Sequence, residues 1–396
     1  MSGGAASPVS TAPVYDLATW RARVPLLAHA IPMNHCSHAP QLDTTRAAAE
    51  AYLDSWNRQG MDWEAWVAEV ESARAGFARL IGAAPEDVAV CASVSHATAL
   101  VASALEFAGR RRKVVASGAE FPTVGHVWLA HERLGARVEW VPAHAGVVPL
   151  EGYETAIDDR TLLVSACHAY YQSGFRQDIR AIAERAHAHG ALIYVDAYQS
   201  LGIAQVDVRA LGVDFLAGGC LKFLLGVPGI AFLYVRPEVA ETLRPAATGW
   251  FGRAEPFAYR ADELSWAAGA RRFDTGTPPV PIAYVARAGL GVIHEVGVPA
   301  IEQWLRVVKR RLVEGGRARG LEVLGPTGAE QSVATTAFLC PGASSEAVEA
   351  AMRRRAVLAS ARGPAVRLAP HFYSTIEDVD ASLDALADAL AEVRAR

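Results

Sequence analysis

The chain has 396 residues, 52% of them apolar and 20% charged, with a formal net charge of −4 and a pI near 6.3. That composition belongs to a globular protein long enough for one large unit and a smaller second one, and without a basic excess nucleic acid is not an expected partner. Five cysteines (Cys36, Cys91, Cys167, Cys220, Cys340) show no C-x-x-C spacing, which suits buried thiols in a reducing compartment better than disulfides or a structural zinc.

Residues 1–14 have neither the basic start nor the apolar core of an export signal and read as a flexible tail. In the segment 15–60, "NHCSH" offers His35, Cys36 and His38, but no second cluster stands at ligand spacing, so no metal is expected and a metal-binding hydrolase is a remote reading. From 61 to 280, apolar runs alternate with amphipathic ones. "DVAVCAS", "KVVASGA", "RVEWVPA", "TLLVSACH", "ALIYVDA", "VDFLAGG" and "GIAFLYV" read as seven strands, and "HATALVASALEFAG", "VGHVWLAHERLG" and "DIRAIAERAHAHG" as helices. Such alternation predicts an α/β unit on a mostly parallel sheet covered on both faces. The most apolar run, "FLLGVPGIAFLYV", is too short to cross a bilayer and contains a Gly-Pro-Gly turn, so no membrane span and a cytoplasmic location are expected. Residues 281–396 change character: one long bridging helix over about 281–318 leads into a smaller α+β unit with "LEVLGP", "VATTAFLC", "SSEAVEAAMRRR" and "PAVRLAP". Its last helix follows Thr375, with Asp378 placed to complete a capping box.

Only three of the 38 basic residues are lysines. Lys113 closes "GRRRK" and reads as a solvated loop residue ahead of a strand. Lys309 falls with Arg306 and Arg310 on the wet face of a helix whose Ile301, Trp304, Leu305, Val308 and Leu312 repeat at helical spacing. Lys222 differs, because "AGGCLKFLLGVPG" surrounds it with glycine, leucine and phenylalanine. Burial there lowers an amine's pKa and leaves it nucleophilic, although a lysine in such a setting can also snorkel to water.

Ligands of open α/β sheets sit beyond the carboxyl ends of the strands, and three of those ends carry polar groups. "ALIYVDAYQSLG" runs a buried strand into Asp196, with Gln199 three residues on; a carboxylate there needs a cation or donors. "VAVCASVSHATALV" places Ser93 and Ser95 at a helix start, where free N–H groups favour a phosphate. "EFPTVGH" ends a third strand with Phe121. A nucleophilic amine, a carboxylate, an anion cradle and an aromatic plate together are what pyridoxal phosphate requires.

In the order and spacing of these motifs the sequence resembles the class V aminotransferase family of fold-type I pyridoxal phosphate enzymes, from about residue 30 to 390. "VDAYQSLG", followed about 26 residues later by the lysine, is the most specific pair. The resemblance implies that Lys222 carries the cofactor, Asp196 holds its pyridine nitrogen, Gln199 touches its ring oxygen, and Val94 and Ser95 bind its phosphate. It also implies that Gly276 and Thr277 in "RRFDTGTPPVP" reach the phosphate of a neighbouring subunit, hence a homodimer. Arg367 in "AVRLAPHFY" becomes the clamp for a substrate α-carboxylate, for which its planar fork is suited. The N-terminal segment would pack on the small unit and over the site, bringing Asn34 or His35 to the substrate.

Within the family, "EFPT" with Phe121 as stacking residue, "YQSGFRQDI" with Tyr171, and "GWFG" with Trp250 near the phosphate resemble a kynureninase-like branch. Val124, Gln199 and Leu221 depart from that branch's Asp, His and Tyr. "LASARGPAVR" lacks the loop cysteine that a desulfurase uses, and Cys340 reads as core. The expectation is an enzyme that takes the α-proton of an amino acid or amino-acid conjugate and cleaves a bond at its β-carbon, with an aminotransferase or an epimerase as the alternatives.

Overall fold

Runs rich in valine, isoleucine and alanine become strands here because helices cover both of their faces. The structure is a computed structural model describing residues 12–396, so residues 1–11 of the expected tail lie outside the described residues. In chain order the strands are β1 (Ile31–Pro32), β2 (Val88–Cys91), β3 (Lys113–Ser117), β4 (Arg137–Val141), β5 (Thr161–Cys167), β6 (Leu192–Asp196), β7 (Phe215–Gly219), β8 (Ala231–Val235), β9 (Val323–Leu324), β10 (Thr336–Leu339), β11 (Val357–Leu358), β12 (Ser360–Arg362) and β13 (Ala365–Leu368). Strands β2 to β8 correspond to the seven runs read from the sequence. They form one sheet in the order β2-β8-β7-β6-β5-β3-β4, in which only β8 runs against its neighbours.

The core of this sheet is continuous on both faces. On one side Phe77 of the helix Trp63–Leu80 stacks on Phe232 of β8, with ring centroids 4.6 Å apart. On the other, Trp128 of the helix Pro122–Ala130 meets Tyr194 of β6 edge to face and donates its indole N–H to Ser165 of β5. Local signals set the helix starts: Asp62, Ser93, Asp178 and Ser344 each cap a backbone N–H with a side-chain oxygen. The capping box at Thr375 and Asp378 opens the helix Ile376–Arg394.

The smaller four-stranded sheet has the order β12-β13-β10-β9 and is antiparallel throughout. Its face is covered by the helices Val298–Ala318, Ser345–Arg354 and Ile376–Arg394, which share an apolar cluster with it. The N-terminal segment reaches this part of the molecule through β1, which pairs in parallel with β11.

The long helix read over about 281–318 is two helices, Val280–Val296 and Val298–Ala318, divided at Gly297. Gly297 takes φ 85°, a left-handed value that glycine adopts freely, and the ring of Pro299 cannot sit in a helix interior. The first helix packs on the helices Asp43–Gln59 and Trp63–Leu80, and the second on Ile376–Arg394.

Both lysines read as solvated are buried. Lys113 is the first residue of β3, and its amine meets Glu139 at 3.0 Å and Asp158 at 3.1 Å and donates to the carbonyl of Ala156. Charge pairing from a neighbouring strand and a distant loop, invisible in "GRRRK", turns it inward. Lys309 is 1% exposed and donates to the carbonyl of Thr335 at 3.0 Å. Desolvation lowers its pKa to about 7. An unfolded lysine titrates near its ordinary value, so between these limits the unfolded chain holds one more proton than the native protein. Native stability should therefore rise with pH across that window, by up to about 1.4 kcal/mol per unit. Urea midpoints from pH 7 to pH 10 should show this rise, and Lys309→Met should remove it; parallel curves for the two proteins would count against the burial of an uncharged amine.

Candidate active site

The loops leaving the carboxyl ends of β2, β3, β5, β6 and β7 converge on one cavity of about 250 Å³, far more than one or two bound waters occupy. Lys222, Asp196, Gln199, Val94, Ser95, Phe121 and Tyr171 all line it, and so does Arg367, which arrives from β13 of the smaller sheet. The cavity therefore lies between the two sheets.

Lys222 follows β7 and opens onto this space. Its amine lies 4.2 Å from the centre of the Tyr198 ring and 5.4 Å from that of Phe121. Burial lowers its pKa, and the Asp196 carboxylate works in the opposite direction. The chain can approach so closely only because Gly219 has no side chain: a Cβ there would stand 2.5 Å from the Tyr198 ring.

Asp196 ends β6, is almost fully buried, and accepts a hydrogen bond from the Tyr198 N–H at 2.8 Å. Burial raises its pKa, while that hydrogen bond and the charge of Lys222 lower it. A cationic partner in the cavity would hold the carboxylate ionised. Gln199 donates from Nε2 to the carbonyl of Cys36 at 3.0 Å, and its Oε1 is buried without a hydrogen-bond partner. Glu120, just before Phe121, accepts from Ser165 at 3.2 Å and from the Cys167 thiol at 3.0 Å; burial pushes it up to about 8.

Two parts of the cavity wall are suited to anions. Val94 and Ser95 begin the helix Val94–Ser103, so their N–H groups have no intrahelical acceptor. The Ser95 hydroxyl lies 2.6 Å from that of Thr123, also on the cavity wall. Across the cavity, Arg367 is 1% exposed and is held by neutral groups: the Ser360 hydroxyl at 2.7 Å, the Ser37 hydroxyl at 3.0 Å and the carbonyl of Tyr171. Desolvation lowers its pKa. A buried guanidinium with no carboxylate partner is costly until an anion arrives.

Phe121 is 40% exposed and meets Tyr171 edge to face at 5.3 Å. Other residues singled out from the sequence lie elsewhere. His35 is fully buried, with its ring nitrogens on the carbonyl of Ala369 at 2.7 Å and the Tyr373 hydroxyl, and desolvation lowers its pKa to about 4. It is turned away from the cavity, and Asn34 is not on the wall. Cys36 and Ser37 are the residues the N-terminal segment contributes. Trp250 borders a separate cleft with Arg253 and Tyr259, and Gly276 and Thr277 border another with Arg74 and Asp274. Within one chain, these three do not join Lys222.

The sequence reading missed Tyr198, Thr123, Ser37, Cys167 and Arg362, all on the wall, and considered Cys36, also there, only as a metal ligand. Arg362 alone carried a usable signal, since it alternates with Ser360 along the strand that faces Arg367.

These residues fit pyridoxal phosphate: a lysine amine in a desolvated setting, a buried carboxylate for a ring nitrogen, an unpartnered amide oxygen that a ring hydroxyl satisfies, and a helix start for the phosphate. Site and sheet together define a fold-type I pyridoxal phosphate enzyme. The family model for aminotransferase class-V matches residues 42–381. An uncharacterized aminotransferase of Bacillus subtilis, YcbU, is 39% identical over 368 residues, which is 93% of this chain and 96% of that protein. A kynureninase of Deinococcus radiodurans is 35% identical over 254 residues, or 63% of this chain and 60% of that protein. The fold is shared with a cysteine desulfurase from Thermococcus onnurineus, whose structure superposes with a TM-score of 0.85 at 22% identity, over 97% of this chain and 100% of the other. The chain belongs to the class V aminotransferase family and is a pyridoxal phosphate-dependent enzyme.

The contact between Gly219 and Tyr198 can be tested directly. Gly219→Ala should weaken pyridoxal phosphate binding at least about tenfold in a spectral titration, by displacing the ring beneath Lys222; one displaced contact of about 1.4 kcal/mol suffices. Gly291→Ala, at a helical position where an added methyl meets nothing within 4 Å, is the control. Equal affinities in the two variants would show that the glycine is not what shapes the site.

Proposed function

We propose that this enzyme acts on an α-amino acid or amino-acid conjugate as a kynureninase-like lyase, breaking a bond at the β-carbon after removal of the α-proton. The observation that carries the amino-acid reading is Arg367, a buried cation that shares a cavity with Lys222 and, among the described residues, hydrogen-bonds only neutral groups. It receives the α-carboxylate as a fork, which places the adjacent α-carbon toward the lysine. Pyridoxal phosphate, when bound, supplies an electron sink for the electrons left by that proton. Lys222, whose pKa burial lowers, is the base that takes the proton, and Asp196 keeps the ring nitrogen positively charged. Phe121 and Tyr171 exclude water from one side of the cavity.

The lyase outcome rests on the segments around Phe121 and Tyr171, which line the cavity together, and on the partial similarity to kynureninase. A second reading, transamination, is favoured by the similarity to the Bacillus aminotransferase over nearly the whole chain and by Gln199 beside Asp196. Lyase activity should release pyruvate, alanine or ammonia from a panel of amino acids with no keto acid present. A strict need for a keto acid acceptor would replace the lyase with the aminotransferase. In either case Lys222→Ala should lower turnover by about 10²–10⁴-fold or more; unchanged turnover would remove the lysine from the mechanism.

The same reading makes the protein a cytoplasmic homodimer in which Gly276 and Thr277 serve the phosphate of the neighbouring copy, with Trp250 near a phosphate. In support, these residues stand apart from their own chain's cavity, and exposed apolar side chains surround Trp250: Phe257 at 49%, Tyr259 at 75% and Leu264 at 53%. All five cysteines are free and buried, in keeping with a reducing compartment. Light scattering should give twice the 42.2 kDa chain mass; a monomer that retains its cofactor and full turnover would refute the shared site.

A further inference from the structure

Among the described residues three cations line the cavity, Lys222, Arg362 and Arg367, against the single carboxylate of Asp196. In the reading above two of them have work: Lys222 takes the α-proton and Arg367 the α-carboxylate. The cofactor's phosphate is taken up at the helix start by Val94 and Ser95, far from the arginines in function and on the other sheet. Asp196 is matched to the ring nitrogen. Arg362 is left over.

Among the described residues no carboxylate pairs with it. Some surface arginines do find carboxylates: Arg311 grips Asp380 with two bonds of 2.7 and 2.8 Å, and Arg319 reaches Asp384 at 2.7 Å. Others, such as Arg244, donate to backbone carbonyls, and Arg362 likewise donates to the carbonyl of its own neighbour, Ala361, at 2.7 Å, but it does so on the wall of the cavity. Its charge is felt inside the site, where it opposes protonation of both Lys222 and Arg367. An exposed arginine gains nothing by facing two other cations unless an anion comes between them.

Strand geometry fixes the relation of the two arginines. Ser360 pairs directly with Arg367 across the antiparallel ladder, and Arg362 pairs with Ala365. Ser360 and Arg362 are two residues apart and so share a face of β12. Arg362 and Arg367 are thus diagonal neighbours on one face, roughly 7–8 Å apart at the backbone. One stands buried beside Lys222, the other exposed at the mouth.

We propose that the substrate of this site is an α-amino acid whose side chain ends in a second anionic group, and that Arg362 receives that group at the cavity mouth. The inference rests on the amino-acid reading of the site and adds to it the chemical class of the side chain. Arg367 and Arg362 then form a two-point anion gauge, with the α-carbon and β-carbon held between them and Lys222. Arg362 is a specificity-determining residue here, and it takes no proton and makes no covalent bond.

The test is a spectral titration of the holoenzyme with L-aspartate, L-glutamate and L-2-aminoadipate, each beside a neutral counterpart: L-asparagine, L-glutamine and L-norleucine. At one chain length at least, the acid should bind tenfold or more tightly than its neutral partner, and the gap should narrow as salt is raised. Arg362→Gln should bring that ratio to within about twofold of unity through loss of affinity for the acid, and Arg362→Lys should recover part of it. Because Arg362 is exposed, thermal midpoints of the variants should match the parent within a few degrees, which separates loss of recognition from loss of fold. Equal binding of acid and neutral partner at every length, or a ratio that survives Arg362→Gln, would overturn the proposal while leaving the amino-acid reading in place. If no amino acid, acidic or neutral, perturbs the spectrum, the amino-acid reading fails as well.

Discussion

The organising constraint of this molecule is an unbalanced charge in a largely buried place. A lysine amine and an arginine guanidinium face one cavity whose only carboxylate among the described residues, Asp196, is itself buried and pushed toward neutrality. Each cation destabilises the charged form of the other, and burial adds to the effect. The result is an amine whose pKa is lowered and a guanidinium that nevertheless stays protonated, as arginine does in proteins. The same electrostatic setting thus suits the two side chains to the roles of base and anion receptor proposed for them.

The scaffold produces this setting by bringing strand ends from one sheet against a hairpin of another. The parallel strands deliver Asp196, Lys222, Phe121 and the helix start at Val94 to one edge, as doubly wound sheets do. The guanidinium comes from elsewhere. It comes from the antiparallel β12–β13 pair, where Ser360 and Arg367 face each other and the hydroxyl orients the fork. Glycines at the closing points keep the approach tight: besides Gly219, Gly174 takes φ 74° under the carbonyl of Thr335, where a Cβ would come within 2.3 Å.

What could be read from the sequence follows from what each signal depends on. The seven strands of the large sheet were legible because apolar runs between helices are a local pattern, and Lys222 stood out because its immediate neighbours are apolar. Lys113 and Lys309 were misread because the groups that draw them inward, Glu139, Asp158 and the carbonyl of Thr335, are remote in sequence. The helix break at Gly297 was in principle visible, since Gly297 and Pro299 are both helix-breaking types, but a sustained helical repeat on either side masked it. His35 carries the chemistry of a substrate ligand, yet the fold commits both its nitrogens to Ala369 and Tyr373. Residue type proposes a role, and only packing decides which way the ring turns.

The stretch 33–39 belongs to neither sheet and is fastened to both. On one side Ala369 donates to the carbonyl of Met33 at 2.7 Å and Met33 to that of Leu358 at 2.8 Å; on the other Ala39 donates to the carbonyl of Leu221 at 3.2 Å and Gln199 to that of Cys36. This short strap therefore helps set how far Lys222 stands from Arg367. Adding or removing one residue in it would recalibrate the size of molecule that can bridge the two, with both side chains left in place. Tolerance for bulk in this enzyme is written in a piece of backbone that performs no chemistry.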